Sequence, residues 1–362
     1  MIDSIRRLIV SRLGALTGLT ALGGSSALLG GCGGGGGGGG GAAPAPDTTR
    51  PTVSPTFPLG GATGVAVNTT VSATFSEPMT NATLTTAFSL APATAGTVNV
   101  SGNIATFTPS APLNGNTSYT ATISTAAQDA AGNALAAPVS WSFITSPTPR
   151  LGAHALAVNQ AAVDTNPVST EPIDTQASGS TILVCVGRGA IGQHVLPTDN
   201  KNNLPYVQLG TEHNYPMWLT SGTALYAFES ATGGNAHTVA VGNNPVTNDE
   251  VTLAVVEVIN GGVIENFVWS YESAAPLTSR VTTTGPATLV AFWWGDGPVG
   301  PQAHSADPGN DFVKIDATNV NAPLVQCAVA TKDVALAGTY EVTWTATPLQ
   351  GAQLWLVAVQ RA

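Results

Sequence analysis

Short runs that alternate apolar and polar residues, cut repeatedly by Gly, Pro or Asn, most restrict how this chain can fold. In Val71-Ser72-Ala73-Thr74-Phe75 the apolar residues share one face, as do Tyr119, Ala121 and Ile123 within 118–123. A third run, Asn103-Ile104-Ala105-Thr106-Phe107-Thr108, precedes Pro109. Period-two alternation between turn residues indicates strands half-buried in a sandwich. Beyond residue 150 the rhythm continues over 181–186, 223–228, 237–241, 251–258, 288–294, 324–330, 339–345 and 353–359. Gly233-Gly234, Gly261-Gly262, Gly285-Pro286 and Asp307-Pro308-Gly309 lie between them as turns. No stretch there holds a 3.6-residue apolar period over a helical length. The run 251–258 is apolar enough for a buried helix, but its β-branched content and Gly-Gly stop favour a central strand. Charged residues make up only 9% of the chain, against about 25% in an average soluble domain, which disfavours exposed amphipathic helices. Eleven basic and 21 acidic residues give a net charge of −10. Nucleic acid is therefore not an expected partner, since phosphate binding needs clustered Lys and Arg. A hydrophobic content of 43% supports real cores and excludes global disorder.

The N-terminus reads as an address. Arg6, Arg7 and Arg12 precede an uncharged stretch from Leu13 to Leu29, which ends in Leu29-Gly30-Gly31-Cys32. Basic start, apolar core and small-residue cleavage site follow in the order of an export signal. The final four residues resemble the lipobox of bacterial lipoproteins. That resemblance implies a signal peptide over 1–31, cut before Cys32, and a lipid on the Cys32 thiol. An ordinary cleaved signal and a retained membrane helix are the alternatives. Nine glycines, Gly33 to Gly41, then Ala42-Ala43-Pro44-Ala45-Pro46, can bury nothing and should form a disordered tether over 32–46, with a reach of roughly 20 Å. Gly rather than Asp after Cys32 implies, by the same resemblance, an outer-membrane lipoprotein. The acyl chains would make the contact with the membrane, because so acidic a chain gains nothing from anionic headgroups.

Residues 47–147 carry a second resemblance. Pro58-Leu59-Gly60-Gly61-Ala62-Thr63-Gly64-Val65, Phe75-Ser76-Glu77-Pro78-Met79, Asp129-Ala130-Ala131-Gly132-Asn133-Ala134-Leu135 and Trp141-Ser142-Phe143 occur in this order. They resemble the bacterial Ig-like domain first described in surface-layer proteins, which implies a spacer or adhesion-type sandwich without catalytic residues. Short strands at this density suit an Ig-like sandwich independently of the resemblance. Glu77 and Asp129 are conceivable calcium ligands, but solvated turn residues are the plainer reading, since oxygen-ligand sites usually show clustered carboxylates.

Pro147 and Pro149 mark a boundary. Residues 150–362 are expected to form a larger jelly-roll-like β-sandwich, although a barrel or two smaller sandwiches would give the same pattern. The fold class is therefore all-β. His154, His194, His213, His237 and His304 show no metal-motif spacing, and no nucleophile elbow, phosphate loop or dinucleotide fingerprint is present. A carboxylate pair drawn from Glu212, Glu229, Glu257, Glu265 and Glu272 would be arbitrary. His304, Asp307 and Asp311 share a polar loop that reads as a solvated turn before it reads as a metal site. The expectation is a non-enzyme without cofactor or metal.

Ligand candidates are aromatic. Trp293, Trp294 and Asp296 run off a strand into a Gly-Asp-Gly turn. Alternation sends one indole to the core and leaves the other to face a groove. An aromatic plane beside a carboxylate suits a sugar. Polar loop 199–203 and the aromatic turn 215–218 are weaker candidates of the same kind. Cys185 and Cys327 lie in predicted strands and are either a disulfide, as an oxidising compartment would permit, or two small buried hydrophobes. The leading expectation is a lipid-anchored cell-envelope protein whose Ig-like module spaces a non-enzymatic sandwich, with a surface carbohydrate or surface protein as partner. A carbohydrate-binding or adhesive module is the rival reading, and a secreted hydrolase the third.

Overall fold

A computed structural model describes residues 45–159, 166–189, 194–216, 218–242, 250–274, 276–296, 304–318 and 325–361. The export signal, Cys32 and the glycine tract lie outside the described residues. Everything from Asp47 onward belongs to one compact unit.

The first module contains β1 (Val53–Phe57), β2 (Val71–Phe75), α1 (Asn81–Ala87), β3 (Phe88–Ala91), β4 (Gly96–Ser101), β5 (Ile104–Pro109), β6 (Ser118–Ile123) and β7 (Val139–Ile144). Two antiparallel sheets, β1-β2-β5-β4 and β3-β6-β7, face each other. The predicted inward residues Val71, Ala73, Phe75, Tyr119, Ala121 and Ile123 are all buried between them, with Trp141 and Phe143. The Tyr119 hydroxyl accepts the Asn114 N–H at 3.0 Å, closing the loop before its own strand. One short helix, α1, went unread in the sequence. It buries only Leu84 and Ala87, too few positions to display a helical period.

The rest of the chain is two sandwiches of one topology. The first is built from β8 (Arg150–Asn159), β9 (Val168–Ser169), β10 (Ser178–Arg188), β11 (Thr198–Asp199), β12 (Val207–Gln208), β13 (His213–Tyr215), β14 (Trp218–Thr232), β15 (Val239–Val241) and β16 (Val251–Ile259). Its large sheet has the order β12-β14-β10-β16-β8, with β13 also on β14, and its small sheet is β11-β15-β9. The second comprises β17 (Val263–Glu272), β18 (Leu277–Thr283), β19 (Ala287–Asp296), β20 (Ser305–Pro308), β21 (Val313–Thr318), β22 (Val325–Val334), β23 (Gly338–Thr347) and β24 (Ala352–Gln360). Its sheets, β21-β22-β19-β24-β17 and β20-β23-β18, repeat the first order strand for strand. The all-β reading holds, but one larger sandwich is in fact two.

Each half has a core of its own between large and small sheet, and the two large sheets press together around a third core. The outcome is four sheet layers. β10, β16, β19 and β24 therefore have both faces covered and are buried almost end to end. That is why 251–258 is continuously apolar: with no wet face, alternation has no physical cause. Each fully buried Val or Leu adds about 1.5–3 kcal/mol of hydrophobic free energy.

Strand register makes the halves residue-for-residue equivalent. Cys185 pairs with Ala254 and Leu225, while Phe292 pairs with Trp355 and Val329. Counting along the strands, Gly187 then corresponds to Trp294, Thr223 to Cys327 and Thr252 to Gln353. One pair of contacts between the halves follows the same exchange. The Thr223 hydroxyl donates to Gln353 Oε1 at 2.5 Å, and its counterpart is the hydrogen bond between Thr252 and Cys327. There the halves meet as the partners of an isologous dimer do, i on j and j on i, although β8 packs closely on β21 with no equally close contact between β12 and β17. Gly187 and Trp294 correspond to each other and also touch, which places them at the exchange axis. A Cβ on Gly187 would lie 2.3 Å from the Trp294 indole, so the glycine is the space the tryptophan fills.

Glu257 fastens the first half. It is 1% exposed; Oε2 accepts the Ala153 N–H at 3.0 Å, and Oε1 accepts the Gln176 N–H at 2.7 Å and the Ser180 hydroxyl at 2.6 Å. Glu257→Ala strands three donors and is expected to cost about 3 kcal/mol, read as a lower urea midpoint at unchanged slope.

Candidate functional site

The small sheet of the first half assembles an array that looks catalytic on paper. His237 Nδ1 lies 3.0 Å from Thr175 Oγ1, and Nε2 lies 3.1 Å from Asp199 Oδ2. A hydroxyl, an imidazole and a carboxylate in series are the parts of an activated nucleophile. β15 and the turn before it present His237, the β11 end presents Asp199, and the segment before β10 presents Thr175.

The environment decides otherwise. His237 is 0% exposed, and the Asp199 side chain has no exposure. The Thr175 hydroxyl accepts the Gly234 N–H at 3.1 Å. With the imidazole Nε2–H donating to Asp199, that hydroxyl donates its proton to Nδ1. Asp199 also receives the Lys201 and Asn203 N–H groups on Oδ1, and the Asn203 amide and Tyr206 hydroxyl on Oδ2. Burial pushes its carboxyl up, but the bonds from His237, Asn203 and Tyr206 outweigh this and hold it well below the usual carboxylate range. Burial and Asp199 push the Tyr206 phenol up. A nucleophile needs an approach, and here Thr175 and His237 are buried and the Asp199 side chain has no exposure. The array is a clasp that pins turns to the small sheet.

Asp199 uses the device that organises a turn of the first module. There Asp129 Oδ1 accepts the Ala131 and Asn133 N–H groups, and Oδ2 accepts the Asn133 amide. Asp-x-x-x-Asn is common to both, and this spacing was the readable sign of a structural loop at 199–203, in place of a sugar-binding one. Asp129 also stands with Asp47 and Glu77, their oxygens within 4.8 Å of one another, the one set of three metal-capable groups among the described residues. Burial, Asp129 and Asp47 raise the Glu77 carboxyl, as mutual repulsion requires. These are the oxygen donors a hard cation takes, although both Asp129 oxygens already accept bonds from its own turn.

Other sequence candidates disperse. Trp293 is 1% and Trp294 2% exposed. They do point to opposite faces, Trp293 onto Trp344 with centroids 6.2 Å apart and Trp294 against Tyr215 at 6.0 Å. Neither faces a groove, because the sheet that carries them is covered on both sides. Asp296 ends β19, and its side chain lies outside the described residues. His304 Nδ1 meets the Gln326 amide, Asp307 pairs with Lys314, and Asp311 pairs with Lys332, so these three serve separate partners. Glu229 and Glu265 accept backbone N–H groups at Ile264 and Thr284, far in role from a paired acid and base. Cys185 and Cys327 are free and buried.

Residues 47–145 match the family model of the bacterial Ig-like domain. That segment is therefore an Ig-like domain, followed by the tandem of sandwiches described above. Solved structures similar to the chain include two of surface-layer proteins. The crystal structure of the S-layer protein rSbsC(31-844) is 15% identical over 82% of this chain and 54% of its own, with a TM-score of 0.22. The structure of surface layer protein SbsC, domains 1-6, is 14% identical with the same coverages and TM-score. The chain thus spans about half the length of these structures, and the TM-scores are too low to equate the folds. No curated protein matches the chain.

Proposed function

We propose that this chain is a non-enzymatic lipoprotein of the bacterial cell envelope. A lipid on Cys32 anchors it at the outer membrane, and the glycine tether lifts it off the bilayer. The Ig-like domain spaces the tandem sandwich, whose outer surface meets a partner at the cell surface. The observation that carries this reading is the match of residues 47–145 to the bacterial Ig-like domain. Support also comes from the closed state of the Thr175–His237–Asp199 array, the one series of hydroxyl, imidazole and carboxylate found among the described residues. No helix among the described residues is long and apolar enough to cross a membrane. Sugar binding through Trp293, Trp294 and Asp296 has the burial of both indoles against it.

The test is metabolic labelling with palmitate in a Gram-negative host. Wild-type protein is expected to take up label and sediment with membranes. Cys32→Ser is expected to lose both label and sedimentation while folding unchanged. Equal labelling of the two proteins would overturn the anchor.

A further inference from the structure

Besides Cys32 the chain has two cysteines, and each sandwich contributes one of them to the same buried layer. Cys185 stands on β10 and Cys327 on β22, strands of facing sheets. At their nearest residues the Cα atoms of these strands approach within 8 Å. Ala254 is the β16 partner of Cys185, and Gly187 lies two places along β10 on the Cys185 face. Thr252, beside Gly187 across the β10–β16 pair, hydrogen-bonds Cys327. Register equivalence sharpens the point. The counterparts of Cys185 and Cys327 are Phe292 and Thr223, so only one of the two exchange-related pairs is sulfur, and there both members are.

We propose that Cys185 and Cys327 are a dithiol pair that closes into a disulfide, bolting the two sandwiches together across their shared interface. A bridge needs Cα atoms within about 7 Å, and the two strands that carry the cysteines come within 8 Å of each other at their nearest residues. Two protein thiols and one small-molecule disulfide are the reactants. The thiolate of one cysteine attacks a sulfur of the disulfide and expels a thiolate, which takes up a proton. The second cysteine, deprotonated, then attacks the protein sulfur of the mixed disulfide and expels the other half as a thiol. Two electrons and two protons pass to the oxidant. In the closed fold, burial and the neighbouring Cys327 push the Cys185 thiol up, while burial and Asp316 push Cys327 up to about 12. Thiolate is the attacking form, so the bridge forms as the halves dock, before the layer is sealed.

The experiment uses the full chain carrying Cys32→Ser, which separates this proposal from the anchor. The protein is unfolded with reductant, refolded with or without oxidised glutathione, denatured again and alkylated. Refolding under oxidised glutathione is expected to give a monomer lighter by two hydrogens, with neither thiol alkylated and one peptide pair joining Cys185 to Cys327. Its unfolding midpoint is expected to exceed that of the reduced protein, and dithiothreitol should erase the difference. Two fully alkylated thiols after oxidative refolding, or links found only between chains, would overturn the proposal. The mass readout needs no substitution at either core cysteine, so a variant that fails to fold cannot obscure it.

Discussion

Gly187→Val is expected to destabilise the protein by about 3 kcal/mol, the upper part of the range for overpacking a core. The branched side chain would occupy the volume of the Trp294 indole, which already lies 2.3 Å from the position of a Cβ. Trp294→Ala alone should cost about 3–5 kcal/mol, as a large aromatic leaves a cavity. The informative protein carries both changes. If the two residues fill one space at the junction of the halves, the double variant should be far more stable than the summed losses predict. Coupling on the order of 1–3 kcal/mol is expected of residues in direct contact. Urea unfolding at constant slope measures it. Losses that simply add, within about 0.5 kcal/mol, would mean that glycine and tryptophan do not share that space.

A comparable loss is expected from Asp199→Ala, at about 4 kcal/mol. Deleting the carboxyl leaves His237 Nε2–H, the Tyr206 hydroxyl and the Asn203 amide without their acceptor in a buried setting. The small sheet should loosen first, seen as faster hydrogen exchange at β11 and β15. The same group gives a pH signature. Because its folded pKa lies below the unfolded value, its stabilisation is complete above the ordinary carboxylate range near about pH 4. It is lost as pH falls from there through the depressed folded value. The wild-type protein should therefore weaken in acid more steeply than Asp199→Ala, and parallel curves below about pH 4 would remove the carboxyl from this role.

Much of the secondary structure was legible because its causes are local. Val71, Ala73 and Phe75, and likewise Tyr119, Ala121 and Ile123, alternate because one face of each strand is wet. In the tandem half, runs such as 181–186, 251–258 and 353–359 were recognisable by β-branched content and flanking turns. β8, β17, β18 and β21 were among the strands not read. β8 is rich in Ala, and β8 and β17 are half-buried along most of their length, without a clean alternation, whereas β18 alternates cleanly and was simply missed. The duplication escaped notice because its counterparts differ in chemistry. Gly187 answers Trp294, and Cys185 answers Phe292, as a junction between two unlike copies demands. The small likeness of Thr181-Ile182-Leu183 to Thr288-Leu289-Val290 was the sign that could have been followed.

Sequence alone determined that this chain is nearly all β and where its main turns fall, since each depends on residues only a few positions apart, while Asp129, read as a solvated turn residue, proved to be buried at 2% exposure. The tertiary structure decided which faces are covered twice, and with that it took Trp293 and Trp294 out of solvent and closed His237 between Thr175 and Asp199. Burial of a second face depends on a sheet contributed by distant residues, and no local pattern records whether that sheet will arrive.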